Sequence, residues 1–162
     1  MMQNFLLIGA FIILGIVVLS LNNTIFSTNK TILENEVHIT GIGLAQALME
    51  EITAKAFDEK TTGNQVVRFP DQLTASANFG MDSGEPPRDD VDDYHNYSNT
   101  IDTPRIENYQ LNVKIRYANP SNPIEDVWSQ TFLKRIQITI INSKYMHNPD
   151  SLTISQIVAY YK

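Results

Sequence analysis

Cysteine is absent from this 162-residue chain. The sequence therefore offers no disulfide framework, no thiolate metal site and no cysteine nucleophile, although this does not fix the compartment. Basic residues are also scarce, since the first lysine or arginine is Lys30 and the net charge is −6. Nucleic-acid-binding proteins usually present a basic face, so we expect no nucleic-acid partner.

Motifs of catalysis are absent as well. The chain has no nucleophile elbow, phosphate-binding loop or dinucleotide fingerprint. His38, His95 and His147 lie far apart and lack the local spacing of a zinc site. No pair of acidic residues stands out as a general acid and base. We therefore expect that the chain is not an enzyme.

Charge is distributed unevenly. Residues 58–108 carry 4 basic and 11 acidic side chains, whereas residues 109–162 carry 6 basic and 3 acidic ones. Such an acidic middle and basic end could attract each other, within one molecule or between neighbours. An ordinary solvated surface explains the same distribution equally well.

A continuous apolar segment occupies residues 5–21 and contains no charged residue. Its length is at the short end for a membrane-spanning helix. A cleaved secretory signal would need a basic start and a small-residue cleavage site. The first four residues (MMQN) contain no basic residue, and Leu19-Ser20-Leu21 is a poor cleavage site. We therefore expect the segment to remain in the mature protein.

The helical pattern continues beyond the apolar segment. From Ile25 to Ala56 apolar residues recur at steps of three and four, as an amphipathic helix requires. We expect a weak stretch at residues 20–24 and an end within residues 57–60. A helix of this length would run about 80 Å, whereas the remaining residues form a globule only about 35–40 Å across. Its apolar end must project and needs lipid or other copies of the chain.

The remainder predicts a loop followed by a sheet. Residues 61–108 are rich in glycine and proline, and we expect one short strand at residues 65–69 in an otherwise long loop. Apolar residues then alternate in residues 109–117, 132–141 and 152–161, which indicates an antiparallel meander. The predicted fold is α+β, a long N-terminal helix packed on a small antiparallel sheet. The predicted regions are an apolar helix (1–24), an amphipathic helix (25–60), an acidic variable loop (61–108) and a β-sheet head (109–162).

This order of elements resembles the type IV pilin superfamily. Residues 44–52 (LAQALMEEI), followed by Ala56-Phe57-Asp58-Glu59, are similar to the second half of the long helix in minor pilins. Residues 89–95 (DDVDDYH) resemble a segment of minor pilins of the mannose-sensitive haemagglutinin pilus type. The resemblance covers the whole chain in architecture but only these two stretches in sequence.

The resemblance implies a subunit that is anchored in the cell envelope membrane and then packs into a helical extracellular filament. The implied partners are other copies of the chain, related pilins, the assembly machinery and, before assembly, the membrane. Two family features are missing: a basic leader ending in glycine, and a glutamate at the fifth position, where this chain has Phe5. We expect either that the leader is lost from this sequence or that this branch is made without such processing.

Two sets of candidate site residues follow. The expected assembly surface consists of apolar helix residues and one glycine: Phe5, Leu7, Ile8, Phe11, Ile12, Leu14, Gly15, Val18 and Leu21. The acidic run offers carboxylates that could bind calcium, which takes six to eight oxygen ligands: Asp82, Glu85, Asp89, Asp90, Asp92 and Asp93. The spacing is not that of an EF-hand, and a solvated acidic loop is the simpler interpretation of this run.

The sequence thus favours a structural filament subunit that polymerises through its N-terminal helix. The main alternative is a single-span membrane protein whose small extracytoplasmic head binds or assembles other proteins without polymerising. A third class, a secreted β-domain with a cleaved signal, predicts a mature N-terminus near residue 22.

Overall fold

A computed structural model of the chain describes residues 2–81, 88–147 and 149–161. It has an α+β fold, one long helix followed by an antiparallel sheet, as the sequence predicts. The helix and the strands have these bounds: α1 Met2–Thr53, β1 Ser98–Ile101, β2 Tyr109–Asn119, β3 Asn122–Val127, β4 Leu133–Ile141 and β5 Ser151–Ala159.

The sheet is organised around β2. Its strand order is β1-β2-β4-β5, and β3 pairs with the far end of β2, on the same edge as β1. Because the register aligns Leu111 with Ile140, Val113 with Ile138 and Ile115 with Ile136, their side chains share one face. This face forms the core that covers the second half of α1.

Contact between α1 and the sheet is confined to the end of the helix. The buried helix residues are Val37, Gly41, Ala45, Met49 and Ile52, spaced at three and four positions. This spacing places them on one stripe, which packs against β4 and β5. All residues from Met2 to Ile32 are exposed or nearly so.

Gly41 lies at a tight contact between the helix and the sheet. A Cβ built there would be 3.2 Å from Ile140 Cγ2 and 3.4 Å from Met146 Cε, whereas one built at Gly43 would have no neighbour within 4 Å. The absence of a side chain at Gly41 therefore lets the helix pack closely against the sheet.

Three local expectations are wrong. The helix ends at Thr53, before residues 57–60, and it continues without a break through residues 20–24. In that stretch Thr24 Oγ1 donates to Ser20 O at 3.0 Å, so its hydroxyl bonds within the helix and does not disrupt it. Residues 65–69 do not form a strand.

Residues 65–69 are held by other contacts than strand pairing. The Val67 amide donates to Tyr160 Oη at 3.1 Å, and the Val67 side chain joins Leu73 and Tyr117 in a second apolar cluster. This pairing lies 93 positions apart in sequence, so no local pattern could indicate it.

The second half of the middle region contains structure that the sequence reading missed. Strand β1 pairs with the start of β2, and a 3-10 helix occupies Asp92–Tyr94. The run of residues 98–101 (SNTI) lacks apolar alternation, and its burial pattern is almost uniformly exposed, which explains why it was not predicted.

We expect that the chain lacking residues 1–24 folds and stays soluble, because all the buried residues of α1 lie at or after Val37. Circular dichroism, size-exclusion chromatography and a cooperative urea transition check this for residues 25–162. An insoluble product, or a fragment without a cooperative transition, would mean that the head depends on the apolar segment.

Replacing Gly41 with leucine in that fragment should lower the free energy of unfolding by about 1–3 kcal/mol, since the added side chain overpacks the helix–sheet contact. Gly43→Leu is the matched control, because the same change in open space gains helix propensity and removes no packing. Urea unfolding measures both variants. Equal stability of the two would argue against the close approach.

Candidate functional site

The first feature of functional interest is the bare half of α1. Seventeen large apolar side chains are exposed between Met2 and Ile32. Burying one such side chain contributes about 1.5–3 kcal/mol. Leaving all of them in water therefore costs on the order of tens of kcal/mol, more than the 5–15 kcal/mol that stabilises a typical domain.

This segment also satisfies the length and composition of a membrane span. An 18-residue window within α1 has a mean hydropathy of 2.6 and none of it is buried. The first charged residue of the chain is Lys30, whose Nζ lies 3.7 Å from Glu34 Oε1. A second ion pair joins Glu36 to Arg105 of the head at 2.7 Å. Charge thus begins where the helix approaches the head.

All the expected assembly residues lie on this bare segment. Each apolar side chain of the set is exposed: Phe5, Leu7, Ile8, Phe11, Ile12, Leu14, Val18 and Leu21. A Cβ at Gly15 would have no neighbour within 4 Å. No contact with the described part of the head covers them, so they remain available to lipid or to other copies.

The second feature is a buried charged cluster around Lys134, which we call the lysine cluster (Lys134, Asp58, Asp90 and Asp92). The Lys134 side chain is fully buried. Its Nζ donates to Asp92 Oδ1 at 2.6 Å, to Asp58 Oδ2 at 2.9 Å and to Phe57 O at 2.7 Å. The ammonium has three hydrogens, and each has an acceptor.

Aromatic rings surround the ammonium. Lys134 Nζ lies 4.6 Å from the ring centroid of Phe57, 5.2 Å from that of Phe79 and 5.5 Å from that of Tyr117. These distances fall within the range of cation–π attraction. The rings also exclude water, which strengthens each interaction between the charges inside.

Asp58 is held by many donors. Its carboxylate accepts from Lys60 N at 3.1 Å, from Thr74 N at 3.1 Å and from Thr74 Oγ1 at 3.1 Å, in addition to Lys134. Burial opposes the charge, but the Lys134 charge and these hydrogen bonds outweigh it, so the pKa of Asp58 is lowered. Asp58 is therefore a stable carboxylate.

At Asp90 and Asp92, unlike Asp58, the effect of burial outweighs the attraction of Lys134, and the pKa is raised. Burial, followed by the nearby charge of Asp92, raises the pKa of Asp90 to about 8. Burial also raises the pKa of Asp92, against the attraction of Lys134 and a hydrogen bond with Asp90. Asp90 Oδ1 additionally accepts from Asp93 N at 3.1 Å. This pair of carboxyl groups therefore retains a proton at neutral pH.

Backbone contacts attach the segment around Asp90 to the end of the helix. Ala56 N donates to Asp89 O at 3.1 Å, and Val91 N donates to Ala56 O at 2.9 Å. Tyr94 Oη donates to Glu51 Oε1 at 2.6 Å. The lysine cluster thus joins three parts of the chain: the exit of α1, the 89–95 segment and strand β4.

Several of the candidate calcium ligands are buried in the structure and do not lie on a solvated loop. Asp82 and Glu85 lie outside the described residues. Asp90, Asp92 and Asp93 are buried, so the interpretation of this run as a solvated loop is wrong for them. In the described residues, no group of three or more potential ligands is arranged to hold a metal ion. Calcium binding stays a prediction.

Sequence reasoning missed Lys134, although a signal was present. In β4 the residues at even positions, Lys134, Ile136, Ile138 and Ile140, all point into the core. Alternation alone therefore places Lys134 on the buried face, directly opposite Tyr117 of β2. A lysine at a buried strand position requires acidic partners, and these come from segments 42 and 76 positions away.

Comparison of the chain with protein-family models, with curated proteins and with solved structures finds no match. The functional argument therefore depends on the sequence pattern and on the geometry described above.

The pH dependence of stability should reveal the raised pKa of Asp90, which burial and the charges of Asp92 and Asp93 raise and the charge of Lys134 lowers. Between about pH 4 and pH 8 the folded state holds a proton that the unfolded state releases, so stability falls as pH rises through this window. Asp58, whose pKa is lowered, has the opposite effect and loses its contribution only in acid.

We expect Asp90→Asn, a neutral side chain of similar shape, to flatten this decline between pH 5 and pH 8. Urea unfolding of residues 25–162 over that range measures the slopes, with Asp102→Asn, at an exposed position, as the control. Parallel pH profiles for the Asp90 variant and the unmodified fragment would contradict the assignment.

Proposed function

We propose that this chain is a structural subunit of a type IV pilus-like extracellular filament and polymerises through the bare half of α1. The observation that carries the proposal is the projecting apolar helix: residues from Met2 to Ile32 make no buried contact with the head. The subunit is anchored in the envelope membrane first and then leaves it for the filament core.

The length of the helix supports this transfer from the membrane to the filament core. The segment before Lys30 would extend about 40 Å, enough to cross a hydrocarbon layer of about 30 Å. In the filament the same side chains would contact equally apolar neighbours, so association depends on close packing. Gly9 and Gly15 have open space around them and would allow neighbouring helix backbones to come close.

The head has a different part in this proposal. Its core is closed on the second half of α1, and no residue of the bare half belongs to that core. The heads therefore remain on the outside of the filament, where related pilins and the assembly machinery would contact them. The resemblance of residues 44–52, 56–59 and 89–95 to minor pilins supports the same arrangement.

The second candidate is a single-span membrane protein with an extracytoplasmic head that never polymerises. One helix of suitable length and hydropathy is equally consistent with this function. The two candidates differ in where the protein resides after assembly. A filament subunit is found in material sheared from the cell surface, whereas a single-span protein stays in the membrane fraction.

We expect Gly15→Arg to abolish filaments while leaving the head folded, because arginine in an apolar helix bundle is costly and the isolated subunit has room for it. Gly43→Arg is the matched control: it makes the same change in the same helix, in open space, outside the apolar segment. Electron microscopy of sheared material and mass spectrometry of its N-terminal peptide measure the outcome.

Filaments that contain the Gly15→Arg chain would reject packing through this segment. The unmodified chain found only as dispersed monomers in membranes would reject polymerisation and favour the single-span alternative. Loss of filaments in both arginine variants would mean that the assay reports general damage to the helix.

A further inference from the structure

The lysine cluster has the composition of a reaction site as well as that of an ion pair. One amine and three carboxyl groups lie together, and the side chains of Lys134 and Asp58 are fully buried. Asp92 is almost as deeply buried. Lys134 already forms ion pairs with Asp58 and Asp92. The third carboxyl group, Asp90, is buried beside them and makes no ion pair with the ammonium.

We propose that Lys134 and Asp92 condense to form an intramolecular isopeptide bond, with Asp90 relaying the proton. The contact of 2.6 Å between Lys134 Nζ and Asp92 Oδ1 holds the amine against the carboxyl group. Fixed proximity of this kind gives intramolecular reactions effective concentrations of about 10⁵–10⁸ M. The aromatic rings of Phe57, Phe79 and Tyr117 keep water from the site.

Asp92 rather than Asp58 is the electrophile. Asp58 accepts hydrogen bonds from Lys60 and Thr74, which stabilise its anionic form, and a carboxylate resists attack by an amine. Asp92 hydrogen-bonds to Asp90, whose raised pKa makes it a proton donor at neutral pH. Asp58 instead positions the amine, because it accepts one of its hydrogens at 2.9 Å.

The reaction is a condensation and balances without an oxidant or a co-reactant. The Lys134 ammonium passes one proton to the Asp92 carboxylate, which gives a neutral amine and a carboxylic acid. Nζ then attacks Asp92 Cγ, while the Asp90 carboxyl hydrogen-bonds to the Asp92 carbonyl oxygen and stabilises the charge that develops there. Asp90 transfers a proton from nitrogen to the departing hydroxyl. The Nζ–Cγ bond forms, the Cγ–OH bond breaks and one water is released.

The product would covalently connect strand β4 to the 89–95 segment, which lies across the exit of α1. The linked residues are 42 positions apart, so the bond closes a long loop. The remaining N–H of the new amide keeps Asp58 Oδ2 or Phe57 O as its acceptor. In a chain without cysteine, this bond supplies a covalent constraint that a disulfide could not.

Intact mass spectrometry of the full chain, purified in detergent, tests the proposal. We expect a mass lower than that of the linear chain by one water, and faster migration on a denaturing gel. Digestion with trypsin should yield a branched peptide that joins residues 89–105 to residues 117–135, because the modified Lys134 is no longer cleaved.

Two near-isosteric variants distinguish the roles. Asp92→Asn should release ammonia in place of water and give a product of the same mass as the condensed unmodified chain. Asp90→Asn should fold, as judged by circular dichroism, but keep the full mass of its linear chain. A cluster that is only an ion pair would not give the Asp92→Asn product. The full mass of Asp90→Asn supports the relay role when the unmodified chain, measured alongside, has lost one water.

An unmodified chain of full linear mass, with no branched peptide, would overturn the proposal without reference to any variant. A branched peptide containing Asp58 would overturn the choice of Asp92. A condensed Asp90→Asn chain would overturn the relay role of Asp90. None of these outcomes depends on whether the chain forms filaments.

Discussion

The structure depends on one geometric constraint, which is that the sheet is much shorter than the helix. The longest strand, β2, has 11 residues and spans about 36 Å, whereas the 52 residues of α1 span about 78 Å. The sheet therefore covers α1 only from Val37 to Ile52. The remainder must be covered by lipid or by other copies, and each candidate function is a way to supply that cover.

A second constraint lies at the end of the covered helix. Removing the Lys134 ammonium from water carries a large desolvation penalty, and attraction to buried carboxylates offsets this penalty only when the geometry is good. Removing one partner of such a pair typically costs about 3–5 kcal/mol, because it leaves an unpaired buried charge. The lysine cluster therefore fixes how the exit of α1, the 89–95 segment and β4 fit together, whatever its net contribution to stability.

Local periodicity predicted the long helix and three strands, because each presents apolar residues at a regular spacing to one core. The same rule failed at residues 65–69, where an apolar run is anchored by Tyr160 from the far end of the chain. It also missed β1, which is exposed and is defined by pairing with β2.

Of the two functional features, the sequence predicts the bare half of α1 fully and the lysine cluster only in part. The exposed apolar half of α1 follows directly from composition, since no other segment of the chain has so long an uncharged run. The acidic run 89–93 was visible, but its partner was not, because Lys134 and Asp58 are brought to it by the fold. The position of Lys134 in the alternation of β4 was the available signal.

The positions of the two features relative to each other matter for a filament. If subunits are held together through the bare half of α1, any pull on the filament reaches each head through the helix. The helix meets the head from Val37 onward and ends at Thr53, and the residues that follow, Ala56 to Asp58, are bonded to the 89–95 segment and to Lys134. The lysine cluster thus lies at the far end of the helix–sheet contact, where an external load would arrive only after that contact had separated. Ion pairs at this point would yield gradually, whereas an isopeptide bond would keep β4 and the 89–95 segment together until a covalent bond breaks.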